Sequence, residues 1–355
     1  MKVLFVFYVP SGGVETLNRQ RSIALKQVGI TCDFLYYSKR RKLLNHENSN
    51  VFITNNDQEI QNILRKENYD AIVITSDYAA MERFRKLGFK GKIILEIQGF
   101  GPQAVARQQL QLAIPYVQNY CDALLYPKTP HIGAIFREFF KTTPIFEFNN
   151  CFDHKAFTYQ TLPKPSKPIV AWIGRLEDNK NWREFLSIGQ QLIMKRPEID
   201  LYMFEDPSLS TQQERNDFIQ LKSRLGLDKH IHLLQNVPNN QMAAYYSRIG
   251  DSGGFLCSTS KVEGAPYSLL EAMSCRCPVL TTDSDGVRSS ILHNQSGKYY
   301  QIGNIQHAVQ QAEELMNDTK LRLYIIENGL LHLQSQFSHQ QYSRHFSRML
   351  KVLNA

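Results

Sequence analysis

The chain has 355 residues, a formal net charge of +8 and 43% hydrophobic residues, a composition that excludes a disordered protein and is typical of a folded one. This length exceeds what one hydrophobic core usually organises, so two domains are expected. The apolar amino terminus stops at Pro10, far short of the roughly 20 residues that span a bilayer, and it lacks a signal-peptide pattern, so a cytoplasmic protein is expected.

The first half of the chain alternates short apolar runs with longer amphipathic segments. The runs cover residues 3–8, 71–75, 92–97 and 123–126. Strands that alternate with helices indicate a parallel sheet. We therefore predict an α/β domain of the Rossmann type over residues 1–160.

Basic residues are concentrated in this first half, where 20 Lys and Arg stand against 14 Asp and Glu. A solvated face explains such runs most simply, and an anionic acceptor or a membrane surface is the alternative. Nucleic acid is not expected, because no recognised binding motif accompanies the charge. The residues of the two densest runs are Lys39, Arg40, Arg41 and Lys42, and then Arg83, Arg85, Lys86, Lys90 and Lys92.

A proline-rich break at residues 162–168 precedes a second series of strands and helices. Strands are predicted at residues 168–173, 199–204, 231–234, 254–257 and 278–281, and helices at residues 182–195 and 212–225. We expect a second Rossmann-like domain over residues 161–335, with ligands at the carboxyl ends of its strands. Residues 305–353 read as helices only, and residues 336–355 could cross back to the first domain.

The most informative motif follows the strand at residues 254–257. Pro266 suits the first position of a helix, so Glu263 lies in a loop and Glu271 about one turn inside the helix. The amides of Tyr267 and Ser268 at that helix start favour a phosphate, and a carboxylate leaning toward the same end suits ribose hydroxyls. Taken alone, two glutamates eight residues apart are common by chance, and a solvated loop acid beside an amphipathic helix explains them equally.

In context, the motif resembles the retaining glycosyltransferases of the GT-B fold, family GT4. Glu263 and Glu271 are followed by residues 275–279, which read Cys-Arg-Cys-Pro-Val, and by Asp283-Ser-Asp-Gly-Val. These stretches resemble the family's Cys-Gly-x-Pro-Val strand and Gly-Gly loop, with Arg276 in place of a glycine and Asp285 in place of the first glycine of the loop. The resemblance covers the second domain almost end to end. It implies an α/β GT-B fold of two Rossmann-like domains whose parallel sheets face across a cleft, and a hexosyltransferase that uses a nucleotide diphosphate sugar, UDP-sugar being favoured, without a cofactor.

The resemblance also implies roles for individual residues. Arg175 and Lys180 would neutralise the leaving diphosphate, Glu263 would hold the donor sugar, and these three form the predicted catalytic set. The first domain would act on the acceptor and the second on the nucleotide-sugar. The residues predicted to bind the donor are Gly12, Gly13, Gln98, Gly174, Asn236, Val237, Pro238, Gly264, Ala265, Pro266, Tyr267, Ser268, Leu269 and Glu271.

Several positions depart from the family pattern. Gln98 stands where the family has a histidine, and Glu205-Asp206-Pro207 replaces a Gly-x-Gly, which leaves the base preference open. Asp283 and Asp285 form a DxD that in another glycosyltransferase fold holds a metal ion. We expect no metal here, since helix amides and two cations already serve the diphosphate.

The partners expected from the resemblance are the nucleotide-sugar donor and a saccharide or lipid-linked acceptor, with an anionic acceptor as one alternative. The basic first domain could associate with the inner face of a membrane. Two other functions remain open: a nucleotide-sugar epimerase of similar fold, and a non-catalytic partner protein.

Overall fold

The computed structural model describes residues 1–10, 12–39 and 49–354, apart from the side chain of Asp285. Arg40, Arg41 and Lys42 of the first basic run therefore lie outside the described residues, as does Ser11. The chain forms two compact units. Unit 1 comprises Met1–Asp153 and Gln336–Ala355, and unit 2 comprises His154–Ser335.

Unit 1 is an α/β unit in which seven strands are parallel. Its strands are β1 (Lys2–Phe7), β2 (Thr31–Tyr36), β3 (Val51–Ile53), β4 (Ala71–Thr75), β5 (Lys92–Glu96), β6 (Ala123–Tyr126) and β7 (Ile145–Glu147). Its helices are α1 (Gly12–Lys26), α2 (Asp57–Glu67), α3 (Ala80–Lys86), α4 (Gln103–Leu112), α5 (Ile114–Tyr120), α6 (Pro130–Phe139) and, from the end of the chain, α13 (His339–Leu353).

The sheet of unit 1 has the strand order β3-β2-β1-β4-β5-β6-β7. All five residues of β4 are buried, because helices cover both faces of a parallel sheet and its central strands are therefore continuously apolar. Helix α13 packs against α1 in this unit, and its Phe346 ring lies 5.9 Å from that of Phe5 in β1. The last helix thus completes the core on the α1 side.

Unit 2 is a second α/β unit with six parallel strands. Its strands are β8 (Ile169–Ile173), β9 (Asp200–Glu205), β10 (Ile231–Gln235), β11 (Phe255–Ser258), β12 (Val279–Thr282) and β13 (Lys298–Tyr300). Its helices are α7 (Trp182–Lys195), α8 (Gln212–Arg224), α9 (Met242–Asp251), α10 (Tyr267–Ser274), α11 (Ile305–Asn317) and α12 (Thr319–Gln336).

The sheet of unit 2 has the order β10-β9-β8-β11-β12-β13. This is the order of a doubly wound nucleotide-binding sheet, in which the chain reverses direction across the sheet between its first and fourth strands. Here those strands are β8 and β11. Ligands of such sheets bind outside the carboxyl ends of the strands at this switch point, so a ligand site is expected at the loops after β8 and β11.

The structure confirms the predicted fold class, with two parallel α/β sheets. Four strands were missed from sequence: β2, β3, β7 and β13. Three of them are only three residues long, and β2 is interrupted by the charged residue Asp33.

Candidate functional site

The loops after β8 and β11 are joined to each other at the switch point of unit 2. Lys261 donates its backbone N–H to the carbonyl of Asn179 at 2.8 Å, and the Asn179 amide donates to the carbonyl of Val262 at 3.2 Å. The hydroxyl of Thr259 lies 2.9 Å from the carbonyl of Lys180. Two loops that are about 80 residues apart in sequence therefore form one surface at the carboxyl end of the sheet.

The predicted catalytic cations both lie on the loop after β8, and each is paired with a carboxylate. Lys180 ends a short 3-10 turn and forms an ion pair with Glu263 of the β11 loop. Arg175 pairs with Glu177 at 2.8 Å, and its side chain is half exposed. Water screens the half-exposed Arg175 pair, so an incoming diphosphate can compete for this cation at small cost. The Lys180 side chain is less exposed, at 23%.

Helix α10 begins where the sequence predicts. Pro266 has φ −75° and ψ 101°, outside the helical region, and Tyr267 is the first helical residue. The first amides of an α-helix have no partner within the helix, and the helix dipole makes that end attractive to an anion. Gly264, Ala265 and the following residues through Leu269 thus lie at one helix start beside the Lys180–Glu263 pair.

Glu271 lies on the first part of α10 and is buried, with 6% of its surface exposed. The hydroxyl of Tyr246 on α9 donates to its Oε2 atom at 3.2 Å. Burial and the nearby carboxylate raise the pKa of Tyr246 well above its usual value, so its hydroxyl stays protonated. Tyr246 therefore holds one oxygen of Glu271 in place. This contact was not predicted from the sequence, because a tyrosine in an apolar helix is ordinarily a core residue.

The predicted donor residues Asn236, Val237 and Pro238, which resemble the family's segment beside the nucleobase, follow β10, two strands away from β8. Asn236 has a positive φ of 54°, and its N–H donates to the carbonyl of Glu205 at 3.0 Å. The buried Glu205 carboxylate accepts hydrogen bonds from Arg215 at 2.7 Å and from Gln235 at 2.9 Å. Neighbouring strands are about 4.8 Å apart, so Val237 and Pro238 lie roughly 10 Å along the sheet edge from β8.

The structure thus explains how Glu205 is accommodated where the family has a glycine. A carboxylate occupies the end of β9, and Arg215 and Gln235 satisfy it within the unit. The network ties β9, β10 and α8 together next to Asn236.

The predicted donor residues of unit 1 lie after β1 and β5. Gly12 has φ +72°, and among the described residues beyond its chain neighbours no atom lies within 4 Å of the position of an added Cβ, so the glycine is used for its backbone conformation. Gln98 follows β5 and exchanges two amide hydrogen bonds with Asn150, at 2.7 and 3.2 Å. Because β4 separates β1 from β5, Gly13 and Gln98 lie about two strand spacings apart.

The carboxylate of Asp283, the first residue of the DxD in the sequence, is engaged by a cation. Both of its oxygens accept hydrogen bonds from Arg288, at 2.8 and 2.7 Å. Within residues 1–10, 12–39 and 49–354, leaving aside the side chain of Asp285, the structure brings together no group of three His, Cys, Asp or Glu side chains that could hold a metal ion.

Most of the second basic run is paired with carboxylates of its own unit. Arg83 pairs with Asp57, Arg85 and Lys92 with Asp122, and Lys86 with Glu82. These pairs favour the solvated-face interpretation for this run. Across the part of the chain that the structure describes, no helix is long and apolar enough to cross a membrane.

The fold and this site define a class of protein. Two doubly wound parallel sheets, with cations, a helix start and a buried glutamate at the switch point of the second, are the features of a GT-B glycosyltransferase fold. A structural comparison agrees: HepE of Anabaena, in complex with UDP-glucose, matches with a TM-score of 0.82 at 16% identity, covering 99% of this chain and 100% of that chain. At this identity the likeness shows the fold alone.

Sequence comparison then identifies the family. The model of glycosyl transferases group 1 matches residues 155–332, and the chain belongs to this family, GT4. An uncharacterized glycosyltransferase of Haemophilus influenzae is 23% identical over 212 residues, 59% of this chain and 56% of the relative. The capsular polysaccharide biosynthesis glycosyltransferase CapM of Staphylococcus aureus is 21% identical over 172 residues, 48% of this chain and 43% of the relative. The chain spans about half the length of the curated relatives that it matches.

Proposed function

We propose that this protein is a retaining, metal-independent glycosyltransferase that transfers a hexosyl group from a UDP-sugar to a saccharide or lipid-linked acceptor. The observation that carries the proposal is the convergence of four groups at one switch point. Arg175 and Lys180 follow β8, Glu263 follows β11, and Glu271 lies on the helix that this loop enters.

These four groups match the chemical demands of breaking a sugar–phosphate bond. Negative charge grows on the leaving diphosphate, and fixed cations stabilise it most when they are already in position. Arg175 and Lys180 supply two such cations, and the start of α10 adds oriented amides. Glu263, held beside Lys180 by their ion pair, binds hydroxyls of the donor sugar, and Glu271 binds those of the ribose.

The proposed reaction takes place on one face of the sugar. The acceptor oxygen forms a bond to the anomeric carbon as the bond to the diphosphate oxygen breaks. The acceptor proton passes to that departing oxygen, so no protein base is required. Gln98 cannot exchange a proton near neutral pH, and it orients the sugar or the acceptor instead.

The donor and acceptor classes rest on similarity. HepE of Anabaena is described in complex with UDP-glucose, which supports a uridine donor for this chain. CapM is described as an enzyme of capsular polysaccharide biosynthesis, which supports a growing glycan as the acceptor.

A donor screen tests the proposal with the full chain in the presence of EDTA. Calorimetric titration with UDP, GDP and TDP identifies the base, and incubation with the matching nucleotide-sugars measures the release of nucleotide and sugar. Proton NMR of the released or transferred sugar reports its anomeric configuration. We expect UDP to bind, turnover to persist in EDTA and the anomeric configuration to be retained.

Three results would contradict the proposal in distinct ways. If no nucleoside diphosphate binds, the protein is a non-catalytic partner. A new epimer without release of UDP identifies an epimerase. Loss of turnover in EDTA, with recovery in manganese, assigns a metal site and removes the metal-independent mechanism.

A further inference from the structure

A cavity lies at the carboxyl ends of β12 and β13 in unit 2. Its volume is about 710 Å³, within the range of small-molecule sites. Its lining includes Asp283 after β12, Tyr299 and Ile302 at and after β13, and His307 on α11. These strands stand next to β11 in the sheet, so the cavity opens on the same sheet edge as the proposed donor site.

One wall of the cavity is flat and apolar. The rings of His293 and Tyr299 are stacked, with centroids 5.7 Å apart and planes inclined by 7°. The Tyr299 hydroxyl donates to the carbonyl of Ile291, which fixes its ring. Leu292 and Ile302 add apolar surface that is 40% and 46% exposed. The C–H face of a pyranose ring packs on a flat surface of this kind.

The polar groups of the cavity are directional. Asp283 uses two of the four lone-pair directions of its carboxylate for Arg288 and can accept from sugar hydroxyls with the others. The N–H of Tyr299 donates to Nδ1 of His293 at 2.9 Å, and the N–H of Gln301 donates to Nδ1 of His307 at 3.1 Å. In the neutral form, both imidazoles therefore carry their proton on Nε2 and can donate it to a ligand.

The charge of the lining favours an uncharged ligand. Burial, and then the neighbouring Lys298 and His307, lower the pKa of His293, so this ring is neutral at pH 7. Among the described residues of the lining, Arg288 alone carries a permanent positive charge, and Asp283 neutralises it. A phosphate or carboxylate would find no uncompensated cation here, whereas sugar hydroxyls would find both donors and acceptors.

The cavity also shares a segment with the donor loop. The loop that starts at Asp283 packs against the loop of Glu263, because the N–H of Gly286 donates to the Glu263 carbonyl at 3.0 Å. A Cβ at Gly286 would lie 1.8 Å from the carbonyl oxygen of Gly264, so the two loops are in direct backbone contact. The loop that contributes Asp283 to the cavity is therefore the same loop that contacts the proposed donor loop.

We propose that this cavity is an acceptor subsite that binds an uncharged pyranose ring of a saccharide through the His293–Tyr299 stack and the Asp283 carboxylate. The proposal rests on the proposed function, since only a transferase has an acceptor substrate. It places part of acceptor recognition in unit 2, beside the donor loop.

The test measures binding of uncharged methyl glycosides by saturation-transfer NMR and titration. The panel comprises the glycosides of glucose, galactose, mannose, N-acetylglucosamine and N-acetylgalactosamine, with glucuronic acid and glucose 6-phosphate as anionic probes. The variants are His293→Ala and Ile302→Asp. Their matched controls in the same unit are His232→Ala, a histidine that contacts Tyr202 at the β10 edge, and Met194→Asp, whose side chain is 71% exposed on α7.

We expect at least one uncharged glycoside to bind with a millimolar Kd that UDP does not displace. Both site variants should weaken this binding about tenfold or more, because His293→Ala removes a packed ring and Ile302→Asp places a charge where the ligand would pack. Both controls should leave the binding unchanged. UDP affinity should be the same in all five proteins, which also shows that the variants are folded.

The proposal is overturned if no glycoside binds, if UDP displaces the glycoside, if the site variants bind it normally, or if the anionic probes bind more tightly. These results differ from a failure of the proposed function, which would appear as the absence of UDP binding in the unchanged chain.

Discussion

The two sheets both end in an ion pair at their carboxyl edges, but the two pairs differ in their exposure to water. In unit 1, Arg21 and Glu96 are 0% and 2% exposed. In unit 2, Lys180 and Glu263 are 23% and 14% exposed, and Arg175 is 50% exposed. A cation that water reaches can be offered to a ligand, whereas Arg21 and Glu96 are enclosed by protein groups and satisfy each other, so we assign this pair to the fold.

The Arg21–Glu96 pair has the contacts of a structural brace. Two guanidinium nitrogens donate to the Glu96 oxygens at 3.1 and 2.9 Å, and the Thr75 hydroxyl donates at 2.8 Å. The guanidinium also lies 4.2 Å from the centre of the Phe5 ring. Burial opposes its charge, yet Glu96 raises the pKa of Arg21 above the ordinary value. The pair joins α1, which begins at Gly12, to the strand that precedes Gln98.

The largest expected effect is on stability, from Arg21→Met. Leaving Glu96 buried without its cation should cost about 3–5 kcal/mol in the free energy of unfolding. The matched control is Arg107→Met, which breaks an ion pair of the same unit whose members are 48% and 51% exposed and should cost at most about 1 kcal/mol. Urea unfolding followed by circular dichroism measures both.

Tryptophan fluorescence locates the loss, because the two tryptophans of the chain, Trp172 and Trp182, both belong to unit 2. The fluorescence transition should shift less than the circular dichroism transition in Arg21→Met. The double variant Arg21→Met, Glu96→Leu should recover most of the stability, since no buried charge remains. Equal costs for Arg21→Met and Arg107→Met would show that burial does not distinguish the two pairs.

The next effect is on turnover. Arg175→Ala and Lys180→Ala should each lower kcat by about 100-fold or more, as expected when a preorganised charge stabiliser is removed. Lys195→Ala is the control, because Lys195 forms an exposed ion pair with Glu313 in the same unit. Its kcat should stay within about twofold of the unchanged protein. Near-normal turnover in Arg175→Ala would remove that residue from the mechanism.

A smaller effect separates Glu271 from its positioning partner. Glu271→Ala should weaken UDP binding by more than tenfold, and Tyr246→Phe by about tenfold or less, since one buried hydrogen bond contributes about 0.5–1.5 kcal/mol. Both should raise KM far more than they change kcat. A fall in kcat at constant KM in Tyr246→Phe would contradict a positioning role for the ribose contact.

The smallest effect is expected at Gln98. Gln98→Ala removes the amide pair with Asn150 and should weaken binding of the UDP-sugar several-fold without changing the affinity for UDP. Asn150→Ala is the matched control, because it breaks the same pair but leaves the Gln98 amide in place. Equal losses for UDP and UDP-sugar in Gln98→Ala would place Gln98 outside the sugar site.

Local sequence patterns predicted many of the strands and helices. The continuous apolar run of β4 and the amphipathic period of α7 identified both elements with the observed bounds. Strand β2 was not predicted because it contains the charged residue Asp33. Asp33 is buried because Tyr69 and Lys2, which lie elsewhere in the unit, contact its carboxylate. The local sequence of the strand does not identify these partners.

Part of the site's local structure was also predicted. The sequence indicated a helix that begins near Pro266, and Tyr267 is its first residue. The roles assigned to Glu263 and Glu271 stay predictions. The pairing of Lys180 with Glu263 joins residues 83 positions apart, and the Tyr246–Glu271 contact joins two helices. These contacts depend on the strand order, which fixes which loops become neighbours, and local spacing does not contain that information.

The central claim is that Arg175 and Lys180 of unit 2 bind the diphosphate of the donor. Titration of the unchanged protein, Lys180→Ala and Lys195→Ala with UDP and with uridine tests it most directly, because the ratio of the two Kd values isolates the diphosphate. The unchanged protein and Lys195→Ala should prefer UDP strongly, and Lys180→Ala should lose about tenfold or more of this preference, as for a charge-assisted contact of about 1.5–3 kcal/mol, with uridine affinity unchanged. An unaltered UDP-to-uridine ratio in Lys180→Ala would contradict the account.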